Sequence, residues 1–462
     1  MAIEKISLKE KIGYSVGDTA SNLFFQTFIL FITIFYTDVF GISAKAVGTM
    51  FLITKIWDAV NDPMMGLIAD RTETRWGKFR PYLLWFAVPM GILGILTFTT
   101  PGLSAGGKLI YAYITYTLLM MLYTIINVPY SALMGVITSN AGVRTVVSQF
   151  RFVAAFIGGL IVQFSALRMV QSFGNGNDAV GWQRAMMVLS GLAVVLFIVT
   201  FVTTKERVKA PKDQKSSFRE DLQDLLKNKP WLMIGGATVF QLTYILIRSS
   251  CIMYYFTYFV QDQDISLFGK TYHFTYGSMV SAFFMFGSIV TILGSIMAGW
   301  FSKIFDKGNT YAGFMAASGL FAAAFFFLKP GDVVLMFVFQ FLTSFAMGPV
   351  SVLQWAMYTD TADYSELQTG RRATGLIMSA SLFALKLGVA IGSSVLAWLL
   401  AGYGYVPNVP QSSTSLQGIK MAMSIYPAIP AFIGAAIMFF YPLTNNKLVE
   451  IEDALNARRK NG

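Results

Sequence analysis

The sequence predicts an all-α membrane protein of twelve transmembrane helices in two six-helix halves, and three observations carry that prediction. The chain of 462 residues is 55% apolar and only 13% charged, with a mean hydropathy of +0.58, so too little polar surface remains to coat a water-soluble globule. Apolar stretches of spanning length, roughly 20 residues each, recur twelve times between polar punctuation. Aromatics make up 15% of the residues, with 41 Phe, 24 Met and 40 Gly, which suits helices packed against lipid and, through small residues, against one another. A secreted or cytosolic enzyme is disfavoured from the outset.

The predicted spans run over 13–40, 44–69, 81–100, 109–138, 146–170 and 181–203, then over 231–260, 274–302, 310–329, 333–359, 373–402 and 418–443. The widest interruption, 205–230, separates an N-terminal six-helix bundle (1–204) from a C-terminal one (231–445), with 446–462 left as a tail. Within the interruption, Phe218, Leu222, Leu225 and Leu226 at helical spacing suggest a short amphipathic helix at the membrane surface. The formal charge of +11 follows topology rather than forming a nucleic-acid footprint. Lys and Arg gather in 71–80 and 205–229, and the positive-inside rule places those loops, the tail and both termini in the cytoplasm, as in a multi-pass protein of a bacterial inner membrane. Cys251, the single cysteine, lies in an apolar run and forms no intramolecular disulfide, and the start, with charges but no short apolar region before a small-residue cleavage site, is expected to carry no removable signal peptide. Gly66-Leu-Ile-Ala-Asp70-Arg71 after the second span is echoed by Gly299-Trp-Phe-Ser-Lys303 after the eighth, as a repeat-built transporter would give.

Ionisable residues inside spans are costly, so each is a functional hypothesis. In the second span Lys55, Asp58 and Asp62 share a stripe with Asn61 beside it. Two carboxylates one turn apart are expected to share a proton, hold a cation or pair with Lys55; an ion pair that only fixes packing is the plainer alternative. Tyr14, Asp18, Asn22 and Gln26 form a four-residue polar stripe along the first span, able to donate and accept with a hydroxyl-rich ligand or to bond between helices. Further polar groups at depth are Thr124, Asn127 and Ser131, Arg151, Arg248, Gln354 with Trp355, and Lys386. Coming from both halves, they fit a midplane cavity between repeats, with Trp355 as a stacking surface or as ordinary packing. Lys55, Arg151, Arg248 and Lys386 face only Asp18, Asp58 and Asp62, a surplus that permits an anionic substrate.

Several long motifs in order carry a resemblance: Trp57-Asp58-Ala59-Val60-Asn61-Asp62-Pro63, Arg75-Trp76-Gly77-Lys78-Phe79-Arg80-Pro81, Asn127-Val128-Pro129-Tyr130-Ser131-Ala132-Leu133, Asp360-Thr361-Ala362-Asp363-Tyr364-Ser365-Glu366 and Gly404-Tyr405-Val406-Pro407-Asn408-Val409. Over nearly its whole length the chain resembles the glycoside–pentoside–hexuronide:cation symporters, the melibiose permease-like branch of the major facilitator superfamily. The resemblance implies a carrier that imports a sugar or glycoside with H+ or Na+ by alternating access, without a cofactor and as a monomer. It implies a cation site at Asp58, Asn61, Asp62, Thr124 and Asn127, although Asn127 stands where the permease has an acid, which favours the proton. A substrate site is expected from Asp18, Asn22, Gln26, Ser131, Arg151, Arg248, Gln354, Trp355 and Lys386. Asn22 replaces the permease's sugar-binding carboxylate, and with Arg151 and Lys386 retained, a hexuronate or hexuronide becomes a candidate substrate.

Arg71, Arg75, Lys78 and Arg80, with Asp360, Asp363, Glu366, Arg371 and Arg372, are expected to form a cytoplasmic gate; topology-setting charge alone is the alternative for the basic loop. Catalysis and a metal centre are poorly supported, since His273 is the only histidine and reads as a solvated residue at the start of the eighth span. A lysolipid carrier of the same branch and a non-transporting sugar sensor are the remaining readings.

Overall fold

The computed structural model describes residues 6–138, 141–207, 225–267, 270–369 and 374–461. It is helical apart from one hairpin, and its chain divides into two compact units: Met1–Asp213 with Val406–Val409, and Gln214–Tyr405 with Pro410–Gly462. The first contains α1 (Leu8–Ile34), α2 (Ala44–Arg71), α3 (Arg80–Thr97), α4 (Ala105–Ile137), α5 (Ala141–Gly174) and α6 (Asp178–Thr203). The second contains α7 (Lys229–Tyr254), the hairpin β1 (Gln263–Leu267) and β2 (Lys270–Phe274), then α8 (Tyr276–Phe305), α9 (Lys307–Ala324), α10 (Val333–Thr369) and α11 (Thr374–Gly402). It ends with α12 (Ser413–Met423), α13 (Ile425–Phe439) and α14 (Asn445–Asn461).

Eleven helices among the described residues are long and apolar enough to cross a bilayer, counting α12 and α13, broken at Ser424, as one. α2 adds a twelfth of spanning length, with 28 residues and Lys55, Asp58 and Asp62 in its interior. The starts are locally encoded: Ser7, Ser104, Asn228 and Thr275 accept from the backbone N–H of the residue three further on, satisfying donors that a helix start leaves open.

The two units repeat one packing plan. In the first, α1 packs on α5 and α6, α2 on α4, and α3 on α4 and α6; in the second, α7 packs on α11 and α13, α8 on α10, and α9 on α10 and α13. Each pair recurs six spans later. Small residues permit the closest of these approaches. A Cβ on Gly158 of α5 would lie 2.7 Å from the Thr19 carbonyl of α1, and one on Gly388 of α11 would lie 2.6 Å from the Val239 carbonyl of α7. The repeat extends to a single wide turn closing the first helix of each unit, Phe35–Val39 after α1 and Tyr255–Val260 after α7.

Two features depart from the sequence reading. His273 belongs to strand β2 rather than to a helix start: it faces Asp264 across the antiparallel pair, Nδ1 2.8 Å from Oδ1, and α8 begins at Tyr276. The run Thr271-Tyr272-His273-Phe274 is β-branched and aromatic, and such residues favour strands. The C-terminal segment, in turn, is a helix docked on the second unit. Ile451 and Leu455 are buried in its core, and Asn445 N–H donates to Asp306 at 2.9 Å. Most of the expected amphipathic helix, Phe218 and Leu222 included, lies outside the described residues; Leu225 is buried against Ala362 and Ile377, whereas Leu226 is exposed.

Candidate functional site

In the first unit α4 stands between two polar clusters. Towards α2, Thr124 Oγ1 lies 2.9 Å from Asp58 Oδ1 and 3.0 Å from Asp62 Oδ1, so one hydroxyl serves both carboxylates, one at a time. Asp58 is 3% exposed. The Lys55 ammonium approaches its other oxygen at 3.9 Å, with Met120 Sδ also at 3.9 Å. The expected stripe of α2 is therefore real, and its 3.6-residue spacing delivers Lys55, Asp58 and Asp62 to one face of α4. Asn61, beside them, buries an amide nitrogen with no acceptor among the described residues.

Towards α1, the same helix supplies Asn127 and Tyr130. The Asn127 carbonyl accepts from Ser21 at 2.7 Å while its amide donates to the Tyr123 carbonyl at 2.9 Å, so this side chain is engaged with α1 and with its own helix. Of the five expected cation ligands, the structure gathers Asp58, Asp62 and Thr124 by direct bonds and turns Asn127 to the neighbouring cluster.

Asp18 is the centre of that second cluster. Arg151 of α5 donates to it bidentately, Nε to Oδ2 at 2.6 Å and Nη2 to Oδ1 at 3.0 Å, and the Tyr130 hydroxyl lies 2.6 Å from Oδ2. The Tyr130 hydroxyl also lies 2.8 Å from the Tyr14 carbonyl, and the Tyr14 hydroxyl donates to the Tyr130 carbonyl at 2.9 Å. The guanidinium carbon stands 5.4 and 4.9 Å from the Tyr14 and Tyr130 ring centres, close enough for cation–π attraction. The polar stripe of α1 thus faces α5: Asn22 and Gln26 lie over Gly158 and Gly159, where the absence of Cβ atoms makes room for them. Asn22 donates to the Asp18 carbonyl at 2.9 Å, and Ser131 is exposed. Tyr130 stands inside a motif that the sequence singles out, yet nothing in its spacing marks it as a partner of an acid 112 positions away.

In the second unit the nominated residues separate. Arg248 is 6% exposed and donates to Gln340 Oε1 at 2.7 Å, its charge flanked by the Phe283 and Phe325 rings, with no carboxylate paired to it among the described residues. Gln354 is buried and donates to the Tyr358 hydroxyl at 3.4 Å, whereas Trp355 is 39% exposed, edge-on to Tyr358. Lys386 is partly buried and engaged.

The basic loop before α3 is bound within its own unit. Arg80 donates to the Phe201 carbonyl at 2.6 Å, and Arg75 lies over Trp76. The backbone N–H groups of Lys78, Phe79 and Arg80 all donate to the Glu206 carboxylate, at 2.8, 2.8 and 2.9 Å. Next to Glu206, Arg207 clamps both oxygens of Glu10 at 2.7 and 2.8 Å. Sequence reasoning passes over Glu10 and Glu206, since single acids at polar span ends carry no pattern. Asp360 is paired with Lys307 through both oxygens, at 2.9 and 2.7 Å, and Asp363 and Glu366 are engaged. The Arg71 side chain and Arg371 and Arg372 lie outside the described residues.

Comparison with known proteins gives the frame for these clusters. The family described as MFS/sugar transport protein matches residues 13–445. The inner membrane symporter YicJ of Escherichia coli (strain K12) is 38% identical, with 98% of this chain and 96% of that protein covered. The putative glycoside/cation symporter YagG of the same organism is 37% identical, with the same coverage. Among solved structures, a bacterial homologue of the human lysosomal transporter Spinster superposes with a TM-score of 0.67 at 14% identity, covering 96% of this chain and 97% of that one, a likeness of fold.

Proposed function

The chain belongs to the MFS/sugar transport protein family, and on that premise we propose that it imports a sugar or glycoside by cation symport, as a secondary active carrier rather than an enzyme. The observation that carries the cation half is the Thr124 hydroxyl within hydrogen-bond reach of both Asp58 and Asp62. Two carboxylates held this close repel one another when both are charged, and a bound monovalent cation relieves that repulsion. The proton is the better fit. Two carboxylates one turn apart bind a proton with no further ligands, whereas sodium needs a shell of oxygens, and Asn127, turned to Ser21 of α1, supplies a neutral amide rather than a third acid. The sugar half rests on the α1 face of Asp18, Asn22 and Gln26 with Arg151, donors and acceptors on an otherwise apolar helix.

The test is the pH of lightly buffered, de-energised cells expressing the protein, challenged with neutral glycosides, pentosides and uronates with and without sodium. Alkalinisation on sugar addition, lost in Asp58→Asn, supports the proposal. Sodium-dependent uptake without a pH change refutes the proton, and binding without accumulation refutes transport.

A further inference from the structure

The Asp18–Arg151 pair settles which hydrogen-bonding groups remain for a ligand. Asp18 Oδ2 already accepts from Arg151 Nε and from Tyr130, while among the described residues Oδ1 accepts only from Nη2 and keeps a lone pair. Arg151 Nη2 gives one N–H to Oδ1 and keeps a second beside it, and Nη1 makes no bond among the described residues. Neither side chain is sealed: 21% of Arg151 and 15% of Asp18 is exposed. The free edge therefore offers a donor and an acceptor side by side with no net charge. Adjacent hydroxyls of a sugar ring, one accepting and one donating, are the complement of such an edge.

Resting on the sugar-carrier reading above, we propose that this edge selects uncharged sugars through a vicinal diol, and that carboxylate- or sulfonate-bearing sugars are rejected. A substrate anion brought to the free N–H of Nη2 would also meet the Asp18 carboxylate, and like charges held together oppose binding. The other cations of the spans do not restore the balance. Lys55 stands beside Asp58, and Arg248 is walled in by Phe283, Phe325 and Gln340. In the first unit Lys55 and Arg151 thus each stand beside a carboxylate. Arg151 is a receptor for hydroxyls whose charge Asp18 has neutralised.

The test uses the purified full-length protein in lipid nanodiscs and calorimetric titration with matched p-nitrophenyl glycosides: xyloside, glucoside and galactoside against glucuronide. The expected result is glucuronide binding at least about tenfold weaker than the best neutral partner, the size of one misplaced charge. Monodeoxy versions of that partner should locate two adjacent hydroxyls, each costing about 10- to 100-fold when removed, as for hydrogen bonds to charged groups. In Asp18→Asn the neutral glycoside should weaken and the glucuronide-to-neutral affinity ratio should rise at least about tenfold as Arg151 regains its charge. Wild-type protein binding glucuronide as tightly as the neutral partner overturns the inference and leaves sugar transport standing, as does glucuronide binding lost in Arg248→Gln. Deoxy analogues that all bind like the parent also overturn it. Failure of every glycoside to bind or be taken up removes the sugar reading, and this one with it.

Discussion

Replacing Glu206 by Ala should loosen the N-terminal bundle, by an amount set by three hydrogen bonds. The Glu206 carboxylate accepts from the backbone N–H groups of Lys78, Phe79 and Arg80, directly ahead of the first turn of α3. A negative charge there also meets the positive end of the helix dipole. Hydrogen bonds to a charged group contribute about 1.5–3 kcal/mol each when dry. This site is half-buried and water replaces part of what is lost, so about 2–4 kcal/mol is the expected total. Gly77 allows the geometry to be checked independently. Its φ is +111°, and a Cβ there would overlap the Glu206 carboxyl group. Gly77→Ala therefore carries backbone strain of about 1–2 kcal/mol together with a clash. In the Glu206→Ala background only the strain remains, so the double variant should fall short of the sum of the singles by at least about 1 kcal/mol, a size of coupling common for residues in contact. Denaturant unfolding of the detergent-solubilised protein, with Glu206→Gln expected between wild type and Ala, measures the cycle. Single losses below about 0.5 kcal/mol, the range of ordinary surface substitutions, or strict additivity, would falsify the assigned clamp.

Three further outcomes follow from the same geometry. Thr124→Val keeps the shape and removes the hydroxyl shared by Asp58 and Asp62; apparent cation affinity in uptake assays should fall about 10-fold or more, while Thr124→Ser stays near wild type. Gly158→Leu pushes a side chain against the Thr19 carbonyl and Asn22, and should abolish folding yield or transport, whereas Leu at Gly299, which has open space, should be tolerated in expression trials. Lys307→Met strands a partly buried Asp360 at a cost of about 1–3 kcal/mol after allowance for solvent. Adding Asp360→Asn should recover most of it in thermal unfolding, and no recovery would show the ion pair to be incidental.

Legibility from the sequence follows periodicity. The spans, the two-unit plan and the stripes at 14–18–22–26 and 55–58–62 are visible because intramembrane helices expose their faces in the spacing of polar residues. Residue pairing across helices is not visible in this way. That Arg151 is taken by Asp18, and that Arg248 and Gln354 turn into their own unit, depends on the rotation of each helix about its axis, which no spacing records. The hairpin carrying His273 was missed for a different reason: a short strand between two long apolar runs reads as the edge of a span.

On the proposed reading, α4 gives coupling a physical path inside one unit. Thr124, Asn127 and Tyr130 succeed one another at three-residue steps, the first bonded to the acids of α2, the second to Ser21 and the third to Asp18 of α1. Tyr123, on the same helix, lies within electrostatic reach of Asp18, Asp58 and Asp62 together. Loading a cation between Asp58 and Asp62 changes what the Thr124 hydroxyl donates to, and any turn or shift of α4 in response is felt at Tyr130, hence at the Asp18–Arg151 edge. Coupling of this kind is reciprocal: the factor by which cation raises sugar affinity must equal the factor by which sugar raises cation affinity. Tyr130→Phe removes the bond to Asp18 while leaving both binding clusters otherwise intact. It should therefore shrink both factors equally, measured as sugar affinity against pH and proton uptake against sugar. Loss of sugar affinity at every pH with the ratio unchanged would mean that Tyr130 only shapes the sugar site, and that the path through α4 is not the one used.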